Sequence, residues 1–236
     1  MKAVGIIAEY DPFHKGHAWQ IAQARQQGAK AVAVCMSGDL VQRGAAALLP
    51  PWVRAKAALC CGADLVIELP NPWACLSAEG FASAGVYLLS ALPELDGLVF
   101  GAEQADTVLL QKTARILLSQ EFSHQLTQQV GLGMPFAAAR ANAAGEILPQ
   151  SRQLLNRPNN NLGVEYCKAI LQQKSCLVPV ALERRGAGHG QSQKDSEGYS
   201  SASYLRECWQ QAGVEALHGQ VPDAALQIYR QHKDEI

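Results

Sequence analysis

Two histidines near the start of the chain, His14 and His17, are three residues apart and enclose Gly16 in the string HKGH. Imidazole N–H groups donate hydrogen bonds to phosphate oxygens, and a glycine lets a phosphate approach the backbone. A helix start adds unpaired N–H groups and the positive end of the helix dipole. Such a site would stabilise charge on a pentavalent α-phosphorus and on departing pyrophosphate. The pattern favours nucleotide chemistry, whereas two surface histidines at a helix start are the alternative.

The elements that must position this turn are a strand before it and a helix after it. Residues 4–8 are a short apolar run typical of a buried strand, Pro12 interrupts it, and a helical pattern covers residues 18–25. A second apolar run at 31–36 completes a βαβ unit, whose strands are parallel. Ligands bind at the carboxyl ends of such strands, so the HKGH turn and Ser37 should face one crevice.

Later apolar runs continue the alternation of strands and helices. The pattern predicts strands at 64–70, 98–100 and 177–182, and helices at 52–61, 77–92, 106–130, 136–146 and 164–172. In this assignment residues 157–163 form a polar turn before a helix. The expected fold class is α/β, with a Rossmann-like parallel sheet. We expect residues 1–206 to form a nucleotide-binding core and residues 207–236 a C-terminal helical tail.

Composition limits the classes of function. The chain has 236 residues, is 48% hydrophobic and carries a net charge of −1, so no global basic field indicates a nucleic-acid partner. Residues 140–206 are locally basic, with nine Lys and Arg against five Asp and Glu. A triphosphate or an RNA backbone would favour this surplus, and solvated arginines without a partner would give the same count.

The cysteines and the hydropathy pattern bear on metals, membranes and compartment. The seven cysteines form no C-x-x-C pair, so we expect no metal site. Reduced cysteines and the lack of a signal peptide before the first strand predict a cytoplasmic protein. No apolar run approaches the roughly 20 residues that a membrane span needs, so no membrane partner is expected. The sequence carries no prediction of an oligomeric state.

Several unusual strings give the chain a family resemblance. They are GIIAEYDPFHKGH at 5–17, MSGDLVQRG at 36–44, GADLVIELP at 62–70, FGAE at 100–103, RPNNNLGVEYCKA at 157–169, RRGAGH at 184–189 and SSASYLR at 200–206. The first string resembles the opening of the HxGH nucleotidyltransferase superfamily. The whole set, in order and spacing, is similar to the bacterial tRNA(Met) cytidine acetate ligase family.

The resemblance implies an ATP-dependent ligase that forms a carbon–nitrogen bond. Acetate would be activated as acetyl-adenylate, and the acetyl group would pass to N4 of the wobble cytidine of elongator tRNA(Met). Mg²⁺ is expected to screen the triphosphate. Two alternatives stay open, an adenylyltransferase acting on a phosphorylated small metabolite and a non-catalytic nucleotide-binding relative.

The same resemblance assigns site residues. His14 and His17 would be catalytic. The ATP-binding residues would be Ile7, Ala8, Glu9, Tyr10, Asp11, Pro12, Phe13, His14, Lys15, Gly16, His17, Ala18, Trp19, Gln20, Gly101, Asn159 and Arg184. Further candidates are Ser37, Arg43, Asn160, Arg185 and Ser201.

The chain departs from the family pattern at two positions and in length. Asp11 and Asp39 stand where the family usually has asparagine, and two carboxylates near a polyphosphate are unfavourable unless a metal or Lys15 offsets them. Family members usually carry a further C-terminal helical domain that helps to hold tRNA. This chain ends soon after the SSASYLR string, so we expect a short or truncated member that binds tRNA(Met) weakly.

Overall fold

The computed structural model describes residues 1–184 and 199–233. Within this part of the chain, five strands form one sheet: β1 (Ala3–Ala8), β2 (Ala31–Ser37), β3 (Leu65–Leu69), β4 (Leu95–Ala102) and β5 (Val178–Glu183). Their order is β3-β2-β1-β4-β5, and every neighbouring pair is parallel. The α/β class with a parallel sheet is confirmed.

Helices connect and cover the strands. They are α1 (Lys15–Gln26), α2 (Pro51–Cys60), α3 (Ala78–Ser90), α4 (Thr107–Leu117), α5 (Gln120–Gly131), α6 (Phe136–Ile147), α7 (Pro149–Leu155), α8 (Pro158–Gln173), α9 (Ala202–Ala212) and α10 (Asp223–Gln231). Among the described residues, none of these helices has the length and apolar character to cross a bilayer.

The core lies on both faces of the sheet. Successive side chains of a strand point to opposite faces, so Ile6 and Ile7 of β1 enter different clusters. The cluster around Ile7 is completed by α3, α4 and α8. The cluster around Ile6 is completed by α1, α2, α9 and α10. Burial on both faces explains why the strands read as continuous apolar runs.

The C-terminal helices belong to the second of these clusters. Leu205 and Trp209 of α9 and Tyr229 of α10 are buried there with Ile6. The boundary expected at residue 206 falls inside α9. The division into a core and a tail stays a prediction, but both parts contribute to one hydrophobic cluster.

Two helix assignments from the sequence were wrong. The single helix expected at 106–130 is two helices, because Ser119 begins α5 and its Oγ accepts a hydrogen bond from Phe122 N at 3.1 Å. The polar turn expected at 157–163 is the start of α8, with Pro158 in the first helical turn, where its fixed φ fits. Helix α7 was also missed, since it is only seven residues long.

Candidate functional site

The turn after β1 is shaped by buried aromatic rings. Tyr10 has a left-handed backbone with φ of 49°, and its side chain is buried. Its ring lies 4.8 Å from the ring of Phe13 and 4.7 Å from that of His17, measured between centroids. These contacts fix the direction in which the chain enters α1.

His14 and His17 form a reciprocal cap at the start of α1. His14 Nδ1 accepts a hydrogen bond from Gly16 N at 3.1 Å, and His17 Nδ1 accepts one from His14 N at 3.2 Å. The two rings stack with centroids 3.7 Å apart and planes inclined by 22°. Because each Nδ1 is an acceptor, each neutral ring carries its proton on Nε2.

This cap changes which groups are available to an anion. Gly16 N and His14 N are bonded to the rings, and Lys15 N donates to Gln220 O at 3.4 Å. The unpaired backbone N–H groups expected at this helix start are therefore bonded within the protein. At this helix start, the donors that remain for an anion are the two imidazole Nε2–H groups.

Both histidines are held neutral. Burial, and to a smaller extent the positive charge of Arg184, lower the pKa of His14 to about 3. Burial, then His14 and Arg184, lowers the pKa of His17 well below 6.5. At pH 7 the pair therefore acts as neutral hydrogen-bond donors, and the fixed positive charge near the cleft comes from arginine.

The two histidines line a cleft of about 190 Å³ at the carboxyl ends of the strands. It brings together most of the ATP-binding residues expected from the sequence: Ile7, Ala8, Glu9, Tyr10, Asp11, His14, Gly16, His17, Trp19, Gln20, Gly101, Asn159 and Arg184. Four lining residues were not predicted: Phe100, Leu162, Tyr166 and Ala202. The aromatic and apolar ones lie on strand and helix positions that look like ordinary core in the sequence.

The other expected ATP-binding residues do not line the cleft: Pro12, Phe13, Lys15 and Ala18. Phe13 is buried behind the turn, where its N donates to the Tyr229 hydroxyl at 3.0 Å and its O accepts from that hydroxyl at 3.2 Å. Lys15 Nζ donates to Gly219 O at 2.6 Å. These residues attach the turn to the C-terminal segment.

Asp11 is neutralised by arginines. Its buried carboxylate accepts hydrogen bonds from Arg43 Nη2 at 2.8 Å and from Leu48 N at 2.7 Å. Arg206 Nη1 lies 3.6 Å from the same carboxylate and donates to Asp11 O at 2.6 Å. The arginines, rather than Lys15, offset this charge. Arg43 therefore forms an ion pair with Asp11 and does not line the cleft.

Arg54 is a supporting residue that the sequence analysis missed. Its side chain is fully buried, and it donates to Leu49 O at 2.9 Å, to Glu9 O at 2.5 Å and to Gly38 O. Burial lowers the pKa of Arg54 against the opposing effect of nearby acids. The guanidinium joins the loops that follow β1 and β2. In the sequence, the one feature that could have indicated this role is the position of Arg54 on the apolar face of α2.

Glu103 organises the opposite side of the cleft. Its carboxylate accepts from Asn159 N at 3.0 Å, Asn159 Nδ2 at 2.7 Å and Asn160 N at 2.8 Å. Burial alone would raise the pKa of Glu103, but these hydrogen bonds outweigh it and lower the pKa. The carboxylate thus caps α8 and fixes Asn159 at the cleft.

Arg184 follows β5 and covers Gly101. Its N donates to Ala102 O at 2.8 Å, and a Cβ at Gly101 would lie 3.7 Å from Arg184 Cβ. Burial lowers the pKa of Arg184, opposed by the charge of Glu103. Within residues 1–184 and 199–233, Arg184 forms no salt bridge, so its charge is available to an anion in the cleft.

The remaining candidates lie outside the cleft lining. Ser37 is buried at the end of β2, and Asn160 is buried beside Glu103, where its Oδ1 accepts from Gln104 N at 3.0 Å. Ser201 caps α9, since its Oγ accepts from Tyr204 N at 3.2 Å. Arg185 lies outside the described residues. In the described ranges, no three His, Cys, Asp or Glu side chains cluster in a way that could hold a metal ion.

Comparisons with known proteins give relatives of one kind. The chain is 38% identical over 233 residues to the tRNA(Met) cytidine acetate ligase of Caldanaerobacter subterraneus subsp. tengcongensis, covering 97% of this chain and 58% of that protein. It is 40% identical over 214 residues to that of Syntrophotalea carbinolica, covering 88% and 50%. The chain thus spans little more than half the length of these relatives.

A solved structure shares the fold. The crystal structure of Thermotoga maritima TmcAL bound with alpha-thio ATP superposes with a TM-score of 0.90 at 30% identity, covering 100% of this chain and 56% of that one. A family model described as HIGH Nucleotidyl Transferase matches residues 1–236. With the stacked histidine pair after β1 and this match over the whole chain, the protein belongs to the HIGH nucleotidyl transferase family.

Proposed function

We propose that this protein activates acetate with ATP as acetyl-adenylate and transfers the acetyl group to N4 of the wobble cytidine of elongator tRNA(Met). The observation that carries the proposal is the pair of neutral, stacked imidazoles in a cleft beside Arg184 and Asn159. The names of the relatives, and the ATP analogue in the T. maritima structure, support the choice of ligase and of ATP.

The chemistry needs no covalent intermediate on the protein. One acetate oxygen forms a bond to the α-phosphorus, the bond from that phosphorus to the bridging oxygen breaks, and pyrophosphate leaves. The cytidine amine then attacks the acyl carbon, loses a proton to solvent, and AMP departs. His14 and His17 donate through Nε2–H to the phosphates while charge shifts to pyrophosphate. Arg184 and Asn159 hold the nucleotide, and positioning supplies much of the rate.

We propose that Mg²⁺ enters as part of the ATP complex. Asp11 is already paired with Arg43 and Arg206, which leaves Glu9 as the cleft carboxylate least engaged with arginine. The triphosphate oxygens and water would therefore supply most of the ligands that a magnesium ion needs.

Binding of tRNA is expected to be weak in this chain. The surplus of positive charge in 140–206 is partly used inside the protein, because Arg140 pairs with Glu165, and Lys168 pairs with Glu165 at 2.6 Å and Glu79 at 2.9 Å. The remaining basic residues give attraction to the RNA backbone. A cytoplasmic location fits a tRNA substrate and the seven free cysteines.

An exchange assay tests the activation step. ATP–pyrophosphate exchange, measured with and without acetate, should depend on acetate. Exchange that ignores acetate and responds to a phosphorylated metabolite would favour the adenylyltransferase. ATP binding by calorimetry without exchange for any acceptor would favour a non-catalytic relative.

Two substitutions at His17 separate its chemistry from its capping. His17→Ala removes both the Nε2–H donor and the acceptor for His14 N, whereas a glutamine at this third helical position retains an acceptor for the cap. Both variants should lose about 1–3 kcal/mol of transition-state stabilisation in exchange, the scale of a hydrogen bond to a charged group. Wild-type exchange in His17→Gln would refute a chemical role for the ring.

A further inference from the structure

Glu103 determines which atom of Asn159 is available to a ligand. Its Oε1 accepts hydrogen bonds from both N and Nδ2 of Asn159, at 3.0 and 2.7 Å. Burial opposes ionisation of Glu103, but these bonds and the one from Asn160 N outweigh it and lower the pKa, so the carboxylate is charged at pH 7. An amide turned the other way would bring Oδ1 against this negative charge. The side-chain nitrogen of Asn159 is therefore held at Glu103.

The amide oxygen of Asn159 is the side-chain atom left for a ligand. Asn159 is partly buried and lines the cleft, and within residues 1–184 and 199–233 its Oδ1 has no hydrogen-bond partner. An amide oxygen accepts hydrogen bonds, and so do the oxygens of a phosphate, so these two groups do not bond to each other. Nδ2 has a second hydrogen, but this nitrogen is already 2.7 Å from a carboxylate, which disfavours another anion beside it. The site at Asn159 therefore suits an N–H or O–H donor.

The wall of the cleft that carries Asn159 is otherwise apolar. Asn159, Leu162 and Tyr166 are three and four positions apart in α8, so they share one face of the helix, and all three line the cleft. The Tyr166 ring lies 5.4 Å from the Phe100 ring of β4, measured between centroids. Helix α8 packs closely on β4 here, since a Cβ at Gly163 would lie 2.7 Å from Phe100 Cε2. An apolar wall with one amide oxygen suits a nucleoside better than a polyphosphate.

We infer that Asn159 recognises the nucleoside of ATP by accepting a hydrogen bond at Oδ1 from a ribose hydroxyl or from the amino group of adenine, and that Glu103 is the positioning residue that fixes the amide in this orientation. This inference rests on the proposed function for the choice of ATP. The two ribose hydroxyls and the adenine amine are the N–H and O–H groups that this nucleoside offers. A nucleotide that lacks the bonded donor leaves Oδ1 unpaired, so Asn159 contributes to nucleotide specificity.

Three analogues of ATP, each lacking one donor, test this assignment. They are 2′-deoxy-ATP, 3′-deoxy-ATP and ITP, in which a carbonyl replaces the adenine amine. In the wild type, the analogue without the bonded donor should have a Kd about three- to tenfold above that of ATP by calorimetry, as expected for one neutral hydrogen bond. In Asn159→Ala, the Kd for ATP should rise by about this factor, and the penalty for that analogue should disappear. The analogue that shows this behaviour identifies the donor as the 2′-hydroxyl, the 3′-hydroxyl or the amine.

Glu103→Gln tests the positioning role. Glutamine has nearly the same shape but lacks the charge that fixes the amide, so the ratio of the two Kd values, analogue to ATP, should fall towards one. A merely structural disturbance would weaken ATP and all analogues by one factor and leave this ratio unchanged. Asn156→Ala, at an exposed side chain that ends α7, is the matched control and should change none of the Kd values.

The outcomes distinguish this inference from the proposed function. Equal rises of Kd for ATP and all three analogues in Asn159→Ala would overturn the inference, because a phosphate contact is common to the four ligands. Unchanged Kd values in that variant would also overturn it, and a wild-type ratio in Glu103→Gln would overturn the positioning role. Loss of the penalty in Asn159→Ala, without acetate-dependent exchange in the wild type, would overturn the proposed function and support the nucleoside contact. A wild-type protein that does not bind ATP would overturn both.

Discussion

Lowering the pH from 7 to 5.5 should destabilise this protein, because His14 and His17 are held neutral in the folded chain. Burial lowers the pKa of His14 to about 3 and lowers that of His17 well below 6.5. In the unfolded chain both rings titrate near 6.5. The unfolded state therefore binds more protons as the pH falls, and the folded state loses stability from pH 6.5 down towards the folded pKa values.

The size of this loss follows from the pKa difference. If a histidine stays neutral in the fold and has an unfolded pKa near 6.5, it lowers the free energy of unfolding by about 1.3 kcal/mol between pH 7 and 5.5. Two such histidines lower the free energy of unfolding by about 2.5 kcal/mol, which is a large part of the stability of a typical domain.

A double variant isolates the effect. His14→Asn and His17→Gln preserve the acceptors of the cap, since asparagine is a good N-cap and glutamine suits the third helical position. Neither replacement titrates. Urea unfolding at pH 7 and 5.5 should show a smaller loss in the double variant than in the wild type, by about 2.5 kcal/mol. Equal losses in the two proteins would refute the assignment of neutral, buried imidazoles.

Three further outcomes follow from the contacts around the site. Tyr229→Phe removes the hydroxyl that bonds both N and O of Phe13, so the free energy of unfolding in urea should fall by about 1–3 kcal/mol; an unchanged midpoint would contradict the bridge. Arg54→Met leaves three backbone carbonyls without their donor and should cost about 3 kcal/mol or more in the same assay. Arg230→Met, in an exposed ion pair, is its control and should leave the midpoint within error. In filter binding, log K for tRNA should fall by about 0.7–0.9 per neutralised phosphate for each unit of log[salt], and salt-insensitive binding would exclude the phosphate-based mode.

The sheet could be predicted from the sequence because its strands are buried on both faces. Continuous apolar runs such as 31–36 leave little ambiguity once helices alternate with them. The helix boundaries were harder to predict from the sequence. Ser119 ends one amphipathic pattern and begins another without a glycine or proline, and the asparagines after Pro158 lack an apolar period. Local propensity therefore could not reveal the start of α8, which depends on Glu103 as a cap.

The cleft could be predicted only in part, because its geometry depends on contacts between residues that are distant in the sequence. The HKGH string locates the histidines, but the sequence does not show that their Nδ1 atoms bond to the backbone and leave Nε2–H for a ligand. The support of the turn comes from residues far along the chain, such as Arg54 and Tyr229. Side chains that make such contacts look like ordinary core or surface residues in a single sequence.

The contacts of the C-terminal segment connect the conformation of the turn between β1 and α1 to the folding of the rest of the chain. Arg206 donates to Asp11 O, Gln220 O accepts from Lys15 N, and Tyr229 bonds to the backbone of Phe13. Each of these three residues is about 200 positions from its partner. Because the turn between β1 and α1 has a left-handed residue and a buried carboxylate, its conformation needs such external support. The contacts from α9, α10 and Gln220 therefore support the turn that carries the histidine pair, so the segment after residue 206 contributes to the candidate site without lining it.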